Sequence, residues 1–312
     1  MADAEKTPVV QNGDSPRGFA FALAAYLLWG FLPFFMKAVA HIPAFEVVAH
    51  RIVWSLPLAG AVLVLLGRTD DIRMALRSPR MLKMAMVTAV LITINWGIYV
   101  WAIGAGRALE TALGYYINPL FSIFLGAVLL KEKLNPAQIV AIVLAAIAVV
   151  VLAFDAGGLP WVSIGLALSW GLYAFFRKTL PVGPNQGFFL EVLLLSVPAL
   201  GYIVYLEASG QGHFFDTGLV DVALLMACGV VTAVPLMIYA NGAKLLRLST
   251  IGIMQYIAPT MIFLIAVFVF HEPFGTPKLI AFILIWAALA VYSTSMLMES
   301  RARRAVVASP AE

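Results

Sequence analysis

Ten apolar stretches, each about twenty residues long and free of Asp, Glu, Lys and Arg at its centre, dominate this 312-residue chain. They lie near 18–40, 45–66, 83–104, 108–130, 136–154, 160–177, 187–206, 219–241, 249–270 and 277–298. A helix of that length crosses a hydrocarbon layer about 30 Å thick and makes every backbone hydrogen bond within itself. Composition agrees: 62% of residues are hydrophobic and 12% are charged, against roughly 25% charged in soluble domains. The expected fold is an all-α membrane protein with ten transmembrane helices.

The chain is also written twice. At an offset of 141 residues, Trp29-Gly30 meets Trp170-Gly171, Phe34-Phe35 meets Phe175-Phe176, Lys37 meets Lys178, and Ser55, Pro57 and Gly60 meet Ser196, Pro198 and Gly201. At 140, Tyr99 meets Tyr239, Arg107 meets Arg247, Tyr116-Ile117-x-Pro119 meets Tyr256-Ile257-x-Pro259, and Glu132 meets Glu272. Rare residues rarely align by chance in so apolar a sequence. Each copy holds five spans, an odd number, so the second enters the membrane from the other side and the halves become inverted repeats. The expected organisation is a disordered cytoplasmic lead (1–16), a first five-helix repeat (17–155), a second (156–299) and a basic cytoplasmic tail (300–312). Symmetry of this kind lets the halves exchange conformations, the physical basis of alternating access.

Basic residues set the orientation. With the N-terminus inside, sixteen of the twenty Lys and Arg residues fall on the cytoplasmic side, leaving Lys37, Arg51, Arg107 and Lys278 toward the other. The positive-inside rule then puts both termini in the cytoplasm of a cell that carries the chain in its plasma, or inner, membrane. The net charge of +4 reads as topology, and nucleic acid is not needed as a partner.

Ionisable residues inside the spans are the first functional candidates, because a charge there is costly unless it faces protein or water. His50 and Arg51 lie about five residues into the second span, roughly 8 Å along a helix. Glu191 is the repeat counterpart of His50, at a similar depth from the opposite side. In the plainer alternative, Arg51 reaches to the headgroups and Glu191 pairs locally. Lys37, Arg177 and Lys178 end their helices, where the same reach explains them, although Lys37 beside Arg51 could also draw an anion. Withdrawal from water can bring a carboxyl's titration toward neutral pH, which makes Glu191 the candidate for proton coupling.

Polar and aromatic residues near mid-membrane come next: Trp29, Asn95, Trp96, Tyr99, Tyr115, Asn118, Trp170, Tyr239, Gln255 and Tyr256. Asn95 and Tyr99 are four residues apart, on one helix face. Amides, phenols and indoles together suit a small polar or aromatic solute, bound by stacking and hydrogen bonds. The alternative for each is a hydrogen bond between helices. Trp101 and Trp161 read as interfacial anchors. Pro33, Pro57, Pro119, Pro198, Pro235 and Pro259 lie inside spans, where each removes a donor and kinks its helix.

No G-x-x-x-x-G-K-[ST] phosphate loop, H-E-x-x-H or G-x-S-x-G occurs. Four His and the single Cys228 offer neither a metal site nor an intrachain disulfide. No catalytic residue, metal or cofactor is expected.

At this point the pattern resembles the drug/metabolite transporter superfamily, its EamA-type members, and within them the RarD group. The resemblance rests on A-Y-L-L-W-G (25–30), A-H-R-I-V-W-S (49–55), N-W-x-x-Y-x-W (95–101), L-G-Y-Y-I-N-P-L (113–120), K-E (131–132), S-W-G-x-Y (169–173) and Q-Y-I-A-P-T (255–260), which cover both halves. It implies ten spans in two inverted five-span repeats and a plasma-membrane carrier of small organic solutes. It transfers no binding residues.

The sequence thus points to a secondary transporter for a small metabolite or drug. His50, Arg51, Asn95, Trp96, Tyr99, Tyr115 and Asn118 line the first half's share of a central cavity, and Trp170, Tyr239, Gln255 and Tyr256 the second's. The alternatives are a flippase for lipid or lipid-linked sugar and, with only dispersed acids to support it, a membrane-embedded enzyme. Solute, coupling ion and oligomeric state are left open.

Overall fold

The computed structural model describes residues 15–308, apart from 130, 132–133, 156–157, 216–217, 244 and 247; for 70–71, 129, 178–179, 248–249 and 299–308 it describes backbone alone. Glu132 and most of the N-terminal lead therefore lie outside the described residues. Described residues form α1 (Pro16–Ala38), α2 (Ala44–Leu65), α3 (Asp70–Leu76), α4 (Pro79–Gly104), α5 (Ala108–Leu129), α6 (Pro136–Asp155), α7 (Trp161–Thr179), α8 (Pro184–Ala208), α9 (Leu219–Ala243), α10 (Leu248–Met254), α11 (Ile257–Phe268) and α12 (Thr276–Ala308), with no strand among them.

Among the described residues nine segments are long and apolar enough to span a membrane, with α10 and α11 joined as Thr250–Phe268. They coincide with nine of the ten expected stretches. The remaining stretch is α7, a 19-residue helix that packs on α4 and α5 and buries Ser163 and Ser169. Both serines bond across helices, Ser163 to the Glu110 carbonyl and Ser169 with Asn95. Two features were not anticipated: the short α3, in the connection before α4, and the continuation of α12 through the first residues of the expected tail.

Local chemistry accounts for the helix starts. Proline stands first in α1, α4, α6 and α8, where its missing N–H costs nothing and its φ is already helical. Before α6, Asn135 and Gln138 cap reciprocally: Gln138 N–H donates to Asn135 Oδ1 (2.8 Å) and Asn135 N–H to Gln138 Oε1 (3.0 Å). The ninth span breaks at Gln255-Tyr256. Pro259 follows within one turn and cannot donate back to the Gln255 carbonyl.

Most of the packing runs between the halves. Helix α1 lies on α9 and α11, α2 on α8 and α9, α4 on α7 and α8, α5 on α7 and α11, and α6 on α12. Exchanging α1 with α7, α2 with α8, α4 with α9, α5 with α10–α11 and α6 with α12 turns this set into itself. Lipid supplies no hydrophobic drive between helices, so close backbone approach has to supply van der Waals contact instead. Ala141, Ala145 and Ala148 of α6 form such a stripe toward α12, while Ile139, Val143, Ile147 and Val150 stay exposed on its other side. Helices α1 and α9 cross at Gly18 and Gly242; a Cβ on Gly242 would stand 2.9 Å from Ala22 N.

Candidate functional site

Where these helices converge they leave a cavity of about 170 Å³. That is room for on the order of ten water molecules, or a solute of similar bulk. Arg51 reaches it from α2, Asn95, Trp96 and Tyr99 from α4, Tyr115 and Asn118 from α5, Trp170 from α7, Tyr239 from α9 and Gln255 from the break before α11. The structure therefore brings nine of the sequence candidates to one place. They arrive on schedule because Asn95, Trp96 and Tyr99 share a face of α4, and because Pro259 opens the ninth span beside Gln255.

Two aromatic walls face the space. Tyr26, Trp29 and Tyr239 meet with ring centroids 5.4–5.7 Å apart. Opposite stand Tyr99, Tyr115 and Trp170, with Tyr115 5.8 Å from Tyr99 and 6.5 Å from Trp170. Repeat-matched residues (Trp29 with Trp170, Tyr99 with Tyr239) thus divide between the walls. Tyr26 and Thr232 also line the cavity. Sequence reading passed over both.

Asn95 is spent on structure. Its Nδ2 donates to Ser169 Oγ (3.0 Å) and the Leu166 carbonyl (3.2 Å) of α7, and its Oδ1 accepts from Tyr115 Oη (3.3 Å). Arg51 is different. It is 3% exposed, its Nε donates to Thr232 Oγ1 (3.0 Å), and its guanidinium lies 4.9 Å from the Trp96 ring centroid. Thr232 is held for this by its own bond to the Cys228 carbonyl (2.7 Å). Arg51 Nη1 has no hydrogen-bond partner among the described residues, and neither have Tyr99 Oη and Asn118 Oδ1. A cation–π contact contributes about 0.5–2 kcal/mol, whereas burying an ion costs several kcal/mol. Trp96 and Thr232 do not cover the difference.

No carboxylate does either, among the described residues. Glu46 pairs with His213, Glu110 with Arg107, Glu191 with Arg177 and Asp221 with His41. Glu207 accepts from Phe214 N–H, Glu272 from two backbone amides, and Asp155 is exposed at the end of α6.

Three candidates stand away from the cavity. His50, on the turn beside Arg51, stacks on Phe214 at 5.1 Å and accepts from Trp54 Nε1 (3.1 Å). Tyr256 stacks on Tyr116 at 6.3 Å. Glu191, 1% exposed, is held by Arg177 Nε at 3.3 Å and Tyr173 Oη at 3.2 Å. Gly187 makes that pairing feasible, since a side chain there would overlap the Arg177 guanidinium. For His50 helical rotation decides, because one residue along a helix turns a side chain by about 100°; Tyr256 lies in the break before α11, and no residue of α8 lines the cavity.

At the end of the bundle carrying the α1–α2, α4–α5, α8–α9 and α11–α12 connections, three carboxylates tie the halves together. Glu46 Oε2 meets His213 Nδ1 (2.8 Å), and its Oε1 accepts His213 N–H (2.7 Å). His41 Nε2 meets Asp221 Oδ1 at 2.9 Å. Glu272 accepts from the N–H groups of Ala108 (2.6 Å) and Leu109 (2.9 Å), capping α5 from the other half. Burial pushes the Glu272 carboxyl above its ordinary pKa; the two amides, Lys278 and Lys37 oppose this without cancelling it. The capping role was not legible from sequence, where Glu272 stood out only as the repeat mate of Glu132.

Comparison with known proteins locates this architecture. The model of the EamA-like transporter family matches residues 16–154. "Protein RarD" of Streptomyces exfoliatus is 40% identical over 288 residues, covering 92% of this chain and 91% of its own. The chain belongs to the EamA-like transporter family. Other relatives include "Uncharacterized transporter YojE" of Bacillus subtilis (strain 168), 38% identical over 95% of this chain and 99% of its own. "Chloramphenicol-sensitive protein RarD" of Pseudomonas aeruginosa is 30% identical over 94% and 99%. A crystal structure 20% identical in sequence superposes with a TM-score of 0.59, over 91% of this chain and 98% of its own, a likeness of fold. As an EamA-like chain with nine segments able to span a bilayer among its described residues, this is a multi-pass membrane protein of a transporter family.

Proposed function

We propose that the protein is a secondary transporter that carries a small organic solute across the plasma membrane by alternating access. One observation carries the reading: in a member of a transporter family, a cavity with unpartnered polar groups lies where the two halves meet, walled by helices of both. Residues 17–155 and 156–299 act as inverted repeats, a view supported by helix contacts that survive exchange of the halves. Both termini face the cytoplasm, as the distribution of basic residues favours. In the state described here the carboxylate ties around Glu46, Asp221 and Glu272 hold the external end shut, and their release opens it.

Glu191 is the coupling acid of this cycle: a proton arriving there would free Arg177 and loosen α7 from α8. Transport by Glu191→Gln that kept the wild-type pH profile would remove it from that role.

Alternating access itself is tested by labelling. Cys228 is replaced by Ser, and single cysteines are placed at Leu236 and Ala258, both on the cavity. A membrane-impermeant maleimide should reach both positions in right-side-out and in inverted vesicles. Reaction from one side only, at both positions and in every condition, overturns the proposal.

A further inference from the structure

We infer that the cargo of this cavity is a soluble organic anion, an oxyanion on a small apolar or aromatic body, and that Arg51 is its counter-ion. As a statement about cargo it rests on the transport reading; as a statement about binding it stands alone. Arg51 is buried and faces the cavity, Thr232 and Trp96 hold it from the protein side, and Nη1 is left without a partner. Every acidic side chain described is engaged elsewhere or exposed, so the positive charge has no neutraliser among the described residues. Intramembrane charge is retained where something comes to meet it.

The neighbouring groups extend the match. Tyr99 Oη, a second donor without a partner on a residue that lines the cavity, can donate to an oxygen of the same anion, while Asn118 Oδ1 is an unpartnered acceptor for an N–H or O–H of the solute. The aromatic walls suit a flat body. Organic cations are disfavoured by the same arrangement, since no acidic side chain among the described residues lines the cavity and Arg51 repels them.

The test uses the full-length protein in detergent, with thermal stabilisation as the readout. Benzoate, benzenesulfonate and phenyl phosphate are compared with benzamide, benzyl alcohol and benzylammonium, and with a short-chain phosphatidylglycerol. At least one of the soluble anions should stabilise the wild type more than the neutral and cationic analogues do. Arg51→Gln should weaken that binding about thirty-fold or more. Arg51→Lys, which keeps the charge, should retain the preference and guards against a Gln variant that fails to fold. Equal shifts for anions and neutral analogues, zero included, overturn the proposal, and so does stabilisation by the lipid alone. Counterflow of labelled benzenesulfonate, which stays ionised, separates the two readings. Arg51-dependent binding without counterflow sinks transport and leaves the anion site standing. Counterflow of labelled benzamide that persists in Arg51→Gln does the reverse.

Discussion

Arg51 on α2 and Glu191 on α8 are one position apart in repeat register and both are buried, yet the protein neutralises only one of them. Glu191 has a guanidinium at 3.3 Å and a phenol at 3.2 Å, both from α7 of its own half. Arg51 has a threonine hydroxyl, an indole face and an open side toward the cavity. The contrast teaches that burial of a charge does not by itself mark a binding site. A buried ion with a protein partner holds helices together, and one without a partner leaves a place for something else.

The largest test breaks the paired member. Glu191→Gln leaves Arg177, 15% exposed, without its counter-charge. Removing one partner of a buried pair costs about 3–5 kcal/mol, and the partial exposure of Arg177 puts this case at about 3. The melting temperature in detergent should fall clearly; an unchanged value would mean that the pair contributes nothing to stability. The unpaired member should respond in the opposite sense. Arg51→Met replaces an uncompensated ion by an apolar chain of similar length, so the solute-free protein should gain about 1 kcal/mol or more in the same assay. A large loss there would show that Arg51 is structural and erase the contrast.

Glu272 is the intermediate case, a buried acid neutralised by the end of a helix instead of a cation. Glu272→Gln keeps one acceptor oxygen of two and should cost about 1 kcal/mol. It also carries a pH prediction. Burial raises the docked carboxyl above its ordinary pKa, so the docked state binds protons more readily than the undocked one. Docking is then strongest in acid and weakens as pH rises through the raised pKa. Maleimide labelling of an outer-face cysteine, normalised at each pH to the unfolded protein because the thiolate is the reactive form, should therefore fall on acidification from neutral pH, and Glu272→Gln should lose that dependence.

Much of the cavity was legible beforehand, because the residues that line it are polar and aromatic types inside apolar spans, two pairs of them (Trp29 with Trp170, Tyr99 with Tyr239) matched between the copies. Asn95, Trp96 and Tyr99 arrive together through helical spacing alone. Where reading along the chain failed, the missing information was rotation or a distant partner. His50 and Arg51 are adjacent and equally buried, but only Arg51 turns to the cavity. Pro119 and Pro259 are repeat mates, yet α5 runs unbroken through Pro119 while the chain breaks ahead of Pro259. Proline removes a backbone donor in both; the packing around each helix decides whether the helix survives it.

By itself the sequence determined that the chain lives in a bilayer, that it is built from two related sets of five apolar segments, and which uncommon side chains sit at mid-membrane depth. Length, charge content and self-similarity suffice for that, since the thickness of the hydrocarbon layer and the demands of the backbone leave no other solution. Only the tertiary structure decided which buried charge is answered by the protein and which has no acidic partner among the described residues. Thr232 lies 181 residues from Arg51, and the Glu272 carboxylate 164 from the Ala108 amide it caps. Whether such groups come within 3 Å depends on how whole helices cross, and no local pattern in the chain encodes that.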